Sequence, residues 1–129
     1  MKKIVDIINS LPKLLPLKPA SDIQINDAEN QLGVKFADEY KEYLSAFGAI
    51  MADGFELTGI AKSEYRNVVN VTKEERKLNP SVPNTMYVIE NAHIDGIIIW
   101  QDTDGRVYKT QYDTEPEKIA ESMAEYLAG

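Results

Sequence analysis

His93 is the one histidine of this 129-residue chain and therefore the one imidazole that could act as a general base near neutral pH. Glu90 and Asp95 lie close to it in sequence, and either carboxylate could orient the ring for acid–base catalysis. However, residues 91–96 are predicted to connect two strands, and a histidine in such a loop is commonly only solvated. A catalytic His93 and an inert loop histidine stand as alternatives.

The segment DTDG at residues 102–105 resembles the start of a calcium-binding loop. Such a loop needs a bidentate Glu at its twelfth position, which counted from Asp102 is Asp113, and Arg106 and Lys109 lie between them. Asp and Gly are also typical of tight turns, because they tolerate positive φ. We therefore predict a hairpin turn here, and neither a metal nor a cofactor for the chain.

Other catalytic patterns are missing from the sequence. It has no cysteine, which excludes thiol catalysis and disulfides, and no Gly-rich phosphate loop, GxSxG or HExxH pattern. The carboxylate pairs Asp38/Glu39 and Glu115/Glu117 lie at predicted helix starts, where capping and the helix dipole account for them. We predict that the protein is not an enzyme.

Trp100 allows two interpretations. It could pack in the core beneath a helix, or it could line a cleft as a large amphipathic side chain, a type favoured as an anchor at interfaces. Tyr108 and Tyr112 share one face of a predicted neighbouring strand by period two, and Tyr87 is expected nearby. These aromatic residues are candidates for a protein contact.

The net charge is −7, and it is unevenly distributed. Residues 1–18 are net basic and residues 65–85 slightly basic, whereas the acid lies in residues 19–64 and 86–129. Such a field repels nucleic acid and steers basic partners, although ordinary solubility explains it equally well. No apolar run approaches the roughly 18 residues of a membrane helix, and Asp6 interrupts the apolar segment after the basic start. We predict a cytoplasmic protein.

The first half of the chain is predicted to be helical. Residues 3–11 form an amphipathic pattern, and a proline-containing loop follows at residues 11–20. Asn26 is a candidate N-cap for a helix that ends at Gly33. A second helix ends at Gly48 and has apolar residues at helical spacing, namely Phe36, Tyr40, Leu44 and Phe47. Thr72 and Glu75 form a capping-box pattern that opens a helix over residues 72–78, ended by Asn79-Pro80.

The second half is predicted to form strands. Residues 55–57 and 86–90 are strand candidates, and residues 97–101 and 106–111 are typical of a hairpin that turns at residues 102–105. Gly59 indicates a turn or a close approach of two backbones. A last helix is predicted from Thr114 onward, with Pro116 in its first turn. This order predicts a single α+β domain over residues 1–129, with a small, mainly antiparallel sheet packed against N-terminal helices and a C-terminal helix.

These elements carry a resemblance to a known family. The pieces that carry it are Ala28-Glu29, Leu32-Gly33, Phe36, Tyr40-Lys41, Leu44, Phe47-Gly48, FELTGI at 55–60, VIEN at 88–91, IIWQDTDGRVY at 98–108 and SMAEYL at 122–127. In this order they resemble the SUKH superfamily, which includes a yeast cell-wall-synthesis regulator and many bacterial immunity proteins. The likeness covers residues 22–127. The chain departs from the family with Ala37, where Pro is frequent, and Ala49, where a second Gly is frequent, and Ala49 affects the shape of the turn.

The resemblance implies a binding protein that neutralises a secreted bacterial toxin, for example a nuclease, by covering its active site. The partner would be a cognate toxin domain with a basic surface, and the protein itself would be a monomer or weak dimer that binds neither nucleic acid nor membrane. The predicted contact residues are Asp53, Glu56, Trp100, Asp102, Asp104 and Tyr108. Two alternatives are an intracellular regulatory or scaffold module, as the yeast relative implies, and an enzyme that uses His93.

Overall fold

The computed structural model describes residues 3–129, which form five helices and seven strands. The helices are α1 (Ile4–Asn9), α2 (Asp22–Leu32), α3 (Asp38–Phe47), α4 (Val68–Leu78) and α5 (Met123–Ala128). The strands are β1 (Leu15–Pro16), β2 (Ile50–Ala52), β3 (Phe55–Glu56), β4 (Tyr87–Asn91), β5 (Ile97–Gln101), β6 (Val107–Gln111) and β7 (Glu117–Ala120). The strands pair antiparallel, and helices come before and after them, which confirms the α+β class.

Within the described residues, the strands form two sheets rather than the one small sheet that the sequence predicted. The first has the order β1-β2-β3 and the second the order β4-β5-β6-β7. An isolated bridge between Leu57 and Glu90 joins the two sheets. The predicted β5–β6 hairpin is confirmed, and Trp100 lies opposite Tyr108 in its register.

The four-stranded sheet has a hydrophobic cluster on each face. Tyr87, Ile89, Ile99 and Val107 point to the main core, where α1, α2, α3 and α5 contribute their buried residues. Val88, Ile98 and Trp100 point the other way, to a smaller cluster with Val71, Val82 and Met86. A strand buried on both faces needs no polar alternation, which explains the continuous apolar run at residues 97–100.

The start of α2 differs from the prediction. Asn26 lies inside the helix, and Ser21 is the N-cap. The Ser21 Oγ accepts the Gln24 N–H at 3.2 Å, and the Gln24 Oε1 accepts the Ser21 N–H at 2.9 Å, so these two residues form the capping box. The predicted end is confirmed, because Gly33 adopts the left-handed conformation with φ 67°.

The start of α4 also lies earlier than predicted. Asn67 is the N-cap, and its Oδ1 accepts the Val69 N–H at 2.9 Å. Thr72 is buried in the helix, where its Oγ1 accepts the Val88 N–H at 3.0 Å and ties α4 to β4. The prediction that Thr72 opens the helix is therefore wrong, although the predicted end at Asn79 is confirmed.

The largest correction concerns residues 114–120. They do not begin the last helix, because Glu117–Ala120 forms β7, with Val107 opposite Ala120. Helix α5 starts only after Ser122, whose Oγ accepts the Glu125 N–H at 3.0 Å. The open backbone edge of β6 needs hydrogen-bond partners, and β7 supplies them.

A buried polar network fixes α3 against both sheets. The Tyr43 hydroxyl donates to the Thr58 carbonyl at 2.6 Å and accepts the Ile50 N–H at 3.1 Å. The Thr58 hydroxyl donates to the Val88 carbonyl at 2.8 Å, and the Tyr40 hydroxyl lies 2.8 Å from the Thr58 Oγ1. Each of these buried polar groups has a partner, so the network stabilises one arrangement of α3, β3 and β4.

Two glycines allow a close backbone approach, as predicted for Gly59. A Cβ at Gly59 would lie 1.9 Å from the Gly48 carbonyl oxygen, so no larger residue fits between these segments. Gly48 ends α3 with φ 73°. Across residues 3–129, the longest helices have eleven residues, and none is long and apolar enough to cross a membrane.

Candidate functional site

The β5–β6 hairpin tip holds its two predicted contact carboxylates in internal bonds. The Asp102 Oδ1 accepts the N–H groups of Asp104 and Arg106, both at 3.0 Å. The Tyr108 hydroxyl donates to the Asp102 Oδ2 at 3.1 Å, and the Arg106 guanidinium pairs with Asp104 at 2.6 Å and with Asp102 at 3.4 Å. The predicted turn is confirmed. The positive charge of Arg106 offsets part of the negative charge that Asp102 and Asp104 place at the hairpin tip.

Trp100 is fully buried, with 0% of its surface exposed. Its Nε1 donates to the Thr110 Oγ1 at 2.9 Å, and the partly buried Tyr108 packs against the same cluster. A side chain in this position has no surface to offer to a partner. Of the two interpretations of Trp100, the core residue is the one that its burial supports.

Asp53 and Glu56 belong to the β2–β3 hairpin, away from the tip of the other hairpin. Asp53 is exposed and Glu56 is half-buried. The Glu56 N–H donates to the Glu90 Oε2 at 2.7 Å. Glu90 lies opposite Ile99, in the middle of β5, and the β5–β6 tip begins only after Gln101, at the end of that strand. Among residues 3–129, no hydrogen bond or ion pair links these two groups of predicted contact residues.

In the described residues, no hydrogen bond joins the His93 imidazole to Glu90 or Asp95, the carboxylates proposed to orient it. His93 is exposed with φ 56°, and within the described residues its imidazole makes no hydrogen bond. The Glu90 carboxylate is already bonded to the Tyr126 hydroxyl at 2.5 Å and to the Glu56 N–H. Burial nevertheless raises the pKa of Glu90, because desolvation outweighs these hydrogen bonds.

A surface that was not predicted as a unit lies at the end of α4, although His93, Asp95 and Tyr112 were each considered from the sequence. We name it the acidic cleft; its volume is about 540 Å³. A neighbouring depression of about 820 Å³ shares part of its wall but also contains lysine and arginine. The acidic cleft is lined by Glu75, Leu78, Asn79, Asn91, His93, Ile94, Asp95, Gly96, Ile98, Tyr112 and Asp113.

The lining of the acidic cleft combines negative charge with exposed apolar surface. Three carboxylates line it, from Glu75, Asp95 and Asp113, and no Lys or Arg of the described chain does. Leu78, Ile94 and Tyr112 are exposed by 65%, 60% and 72%. Large exposed apolar side chains that lie together indicate an interaction surface, and Tyr is a favoured anchor at interfaces.

Burial also affects one carboxylate of this cleft. The pKa of Glu75 is raised, mainly because desolvation disfavours its charged form, while the Asn79 side chain and the charge of His93 act in the opposite direction. The Asn79 Nδ2 donates to the Glu75 Oε1 at 3.3 Å. Asp95 and Asp113 are exposed, so they are the carboxylates that a partner could reach directly.

The backbone around the acidic cleft is conformationally unusual. His93, Asp95, Tyr112 and Asp113 all have positive φ, between 51° and 59°. Gly96 lies beneath the Tyr112 ring, since a Cβ at Gly96 would be 2.6 Å from two ring atoms. Non-glycine residues in this region cost energy and concentrate at binding and active sites. The Asp, Asn and Gly content of the two turns was the signal in the sequence that could have indicated this surface.

Metal ligation was one possibility for the carboxylates of this surface. In residues 3–129, no group of three or more His, Cys, Asp or Glu side chains is placed to hold a metal ion. The acidic cleft combines apolar surface with carboxylates that form no ion pair in the described residues, a chemistry suited to a cationic protein surface.

Comparison with known proteins gives a family and a fold. The family model described as SUKH_5: SMI1-KNR4 cell-wall matches residues 1–128. A crystal structure of a protein from Pseudomonas syringae pv. tomato superposes with a TM-score of 0.76 and 20% sequence identity, covering 97% of this chain and 96% of that chain. At this identity the likeness shows the fold alone. A search of curated proteins finds no match.

Proposed function

The chain belongs to the SUKH_5 family, described as SMI1-KNR4 cell-wall, and we propose that it is a non-enzymatic immunity protein that binds and neutralises a secreted bacterial toxin. The resemblance to bacterial SUKH immunity proteins supports this role, as does the net charge of −7. The observation that carries the proposal furthest is the acidic cleft, where unpaired carboxylates surround exposed Leu78, Ile94 and Tyr112.

The proposed mechanism is occlusion of a basic active site. Asp95 and Asp113 would stand in for substrate phosphates and meet the cations of the toxin, which also speeds association by electrostatic steering. Tyr112 and Ile94 would form the desolvated centre of the interface, where most of the binding free energy is expected. The positive-φ turns would fix these side chains before binding and so reduce the entropy lost on association.

The contact residues predicted from sequence fit this proposal to different degrees. Asp53 and Glu56 remain candidates for contacts outside the acidic cleft, on the β2–β3 hairpin. Asp102 and Asp104 would contribute less, because both already pair with Arg106, which offsets one of their two negative charges. Tyr108 is tied to Asp102, so its hydroxyl is less available to a partner.

A second candidate function is an intracellular regulatory or scaffold module, and the cell-wall description of the family favours it. The acidic cleft would then bind an endogenous basic segment instead of a toxin. Both roles agree with a cytoplasmic protein that binds other proteins. They differ in the partner, so identifying the partner separates them.

The test is an affinity purification from the native host with tagged protein, washed at low and at moderate salt. A matched bait with Asp95→Asn and Asp113→Asn serves as control. Recovery of a toxin domain by the unaltered bait, reduced by salt and by the double substitution, is the expected result. Recovery of cell-wall or signalling proteins in its place would favour the regulatory role. If neither is recovered, a toxin gene beside this one is co-expressed, and failure to form a complex would contradict the immunity proposal.

A further inference from the structure

A second cleft of opposite charge lies beside the start of α2, between residues 17–19 and 60–66. We name it the basic cleft; its volume is about 550 Å³. Lys18, Lys62 and Arg66 line it, and no Asp or Glu of the described chain does. In a chain with a net charge of −7, three cations that meet without a carboxylate form a local field that attracts anions.

Arg66 is half-buried, and part of its guanidinium lacks hydrogen-bond partners. Its Nε and Nη2 atoms are buried, and neither has a partner in the described residues. Buried polar groups are nearly always bonded, because an unmet donor loses its hydration without compensation. Nε and Nη2 form one edge of the guanidinium, and such an edge binds a carboxylate through two parallel hydrogen bonds.

The rim of the basic cleft carries exposed apolar side chains. Leu17, which lines the cleft, is 40% exposed; Leu15, two residues before it, and Ile23, which precedes the lining residue Gln24, are 64% and 81% exposed. Pro19 and Ile60 continue this apolar surface into the cleft. Such a surface exceeds what a small anion needs and fits a polypeptide segment with apolar residues on either side of its charge.

We propose that the basic cleft binds a partner polypeptide segment in which a carboxylate side chain is flanked by apolar residues. Arg66 receives the carboxylate on its Nε–Nη2 edge once its side chain rotates to turn that buried edge into the cleft, and Lys18 and Lys62 add attraction. The flanking residues of the segment contact Leu17 and Ile60. The basic cleft binds an anionic group, whereas the acidic cleft binds a cationic one. This proposal is therefore independent of which toxin the acidic cleft binds.

The test uses the peptide acetyl-Leu-Glu-Leu-amide and its matched form acetyl-Leu-Gln-Leu-amide, titrated into the ¹⁵N-labelled protein and followed by amide chemical shifts. Saturable shifts at residues 17–19 and 60–66 are expected with the Glu peptide, and binding at least about tenfold weaker with the Gln peptide. Arg66→Gln should abolish saturation, and Lys62→Gln should weaken binding several-fold. Lys77→Gln is the matched control, because Lys77 is exposed and pairs with Glu74 elsewhere, and it should change nothing.

Three results would overturn the proposal. The first is equal binding of the Glu and Gln peptides, and the second is the absence of saturable shifts in residues 17–19 and 60–66. The third is equally tight binding of the small acid 4-methylpentanoate, which would indicate a small-molecule site instead of a polypeptide site. If Arg66→Gln fails to fold by circular dichroism, Lys62→Gln decides, since Lys62 is exposed and full affinity in that variant would contradict the role of the cleft.

Discussion

The Glu39 carboxylate accepts the backbone N–H of Met123 at 2.5 Å, and so it joins the first turn of α3 to the start of α5 across 84 positions of sequence. The same carboxylate accepts the Ala124 N–H at 3.3 Å and the Gln101 Nε2 at 2.7 Å. Burial raises its pKa despite these bonds. Glu39 thus links α3, β5 and α5 through one side chain.

Removing this carboxylate should destabilise the protein. In Glu39→Ala, the N–H groups of Met123 and Ala124 lose their acceptors, and we expect the free energy of unfolding to fall by about 2–3 kcal/mol. Glu39→Gln keeps an acceptor oxygen and should cost less than about 1 kcal/mol. Urea unfolding measures both. Asp38→Ala, in the same turn but exposed, is the control and should stay within about 0.5 kcal/mol. Equal losses in Glu39→Ala and Asp38→Ala would contradict the role of Glu39.

The pH dependence of stability should depend in part on Glu90. Burial raises its pKa above the ordinary 4.5, so the folded state holds the proton more tightly than the unfolded state. Its contribution to stability is full below about pH 4.5 and is lost as the pH rises through the folded pKa. Glu90→Gln removes this titration, so its free energy of unfolding should fall less between pH 4.5 and 7 than that of the unaltered protein.

The control for this pH experiment is Glu121→Gln. Glu121 is exposed, and its pKa is lowered by the hydrogen bond from Lys118, so it titrates below this pH range. Its pH profile should match that of the unaltered protein up to pH 7, except near pH 4.5, where the unfolded state begins to bind the Glu121 proton. A Glu90→Gln profile with an unchanged slope would show that Glu90 titrates alike in the folded and unfolded states.

The buried tyrosine network predicts an order of three Tyr→Phe variants. Tyr43→Phe leaves the Thr58 carbonyl and the Ile50 N–H unpaired and should cost about 2–3 kcal/mol. Tyr40→Phe should cost about 1 kcal/mol, because the Thr58 hydroxyl keeps its bond to Val88. Tyr112→Phe, on an exposed residue, should stay within about 0.5 kcal/mol. Indistinguishable unfolding midpoints for the three would refute the network's contribution.

Two glycine substitutions should separate a steric clash from backbone strain. Gly59→Ala forces a methyl group against the Gly48 carbonyl and should cost about 3 kcal/mol or more. Gly54→Ala meets no atom within 4 Å and carries only the strain of φ +88°, so we expect a cost of about 1 kcal/mol. Thermal or urea unfolding gives both values. A Gly59→Ala variant as stable as Gly54→Ala would mean that the two backbones separate easily.

The acidic cleft predicts which carboxylates affect the affinity for a basic partner. With an identified partner, Asp95→Asn with Asp113→Asn should weaken binding about tenfold at low salt, mainly by slowing association. The salt dependence of the association rate should also become shallower. Asp102→Asn with Asp104→Asn is the matched control and should change affinity by less than about threefold, because Arg106 already pairs with both. If Asp102→Asn with Asp104→Asn weakened binding more than Asp95→Asn with Asp113→Asn, the contact would lie at the hairpin tip instead.

Local signals in the sequence identified most elements but not all of their boundaries. Gly33 and Gly48 end helices as predicted, and the periodic apolar residues from Tyr40 to Phe47 lie on the buried face of α3. Asn26 and Thr72 were wrong because a capping residue is defined by its backbone conformation, and Ser21 and Asn67 adopt the extended one.

The remaining differences arise from contacts between distant parts of the chain. The Thr114–Glu117 pattern is typical of a helix start, but pairing with β6 makes residues 117–120 a strand, and no local pattern encodes that pairing. The acidic cleft was missed for the same reason. It unites α4 with two turns that are separate in sequence, and only the fold brings Leu78, Ile94 and Tyr112 together.

The position of Glu39 also has a consequence for synthesis on the ribosome. At roughly 5–20 residues per second, the 84 residues between Glu39 and Met123 take roughly 4–17 seconds to translate. During that interval the Glu39 carboxylate lacks the Met123 and Ala124 N–H groups, although Gln101, its third partner, is made earlier. A pause in translation before residue 123 would prolong the time in which this link between α3 and α5 is missing, whereas the bonds of α3 to residues 50 and 58 can already form.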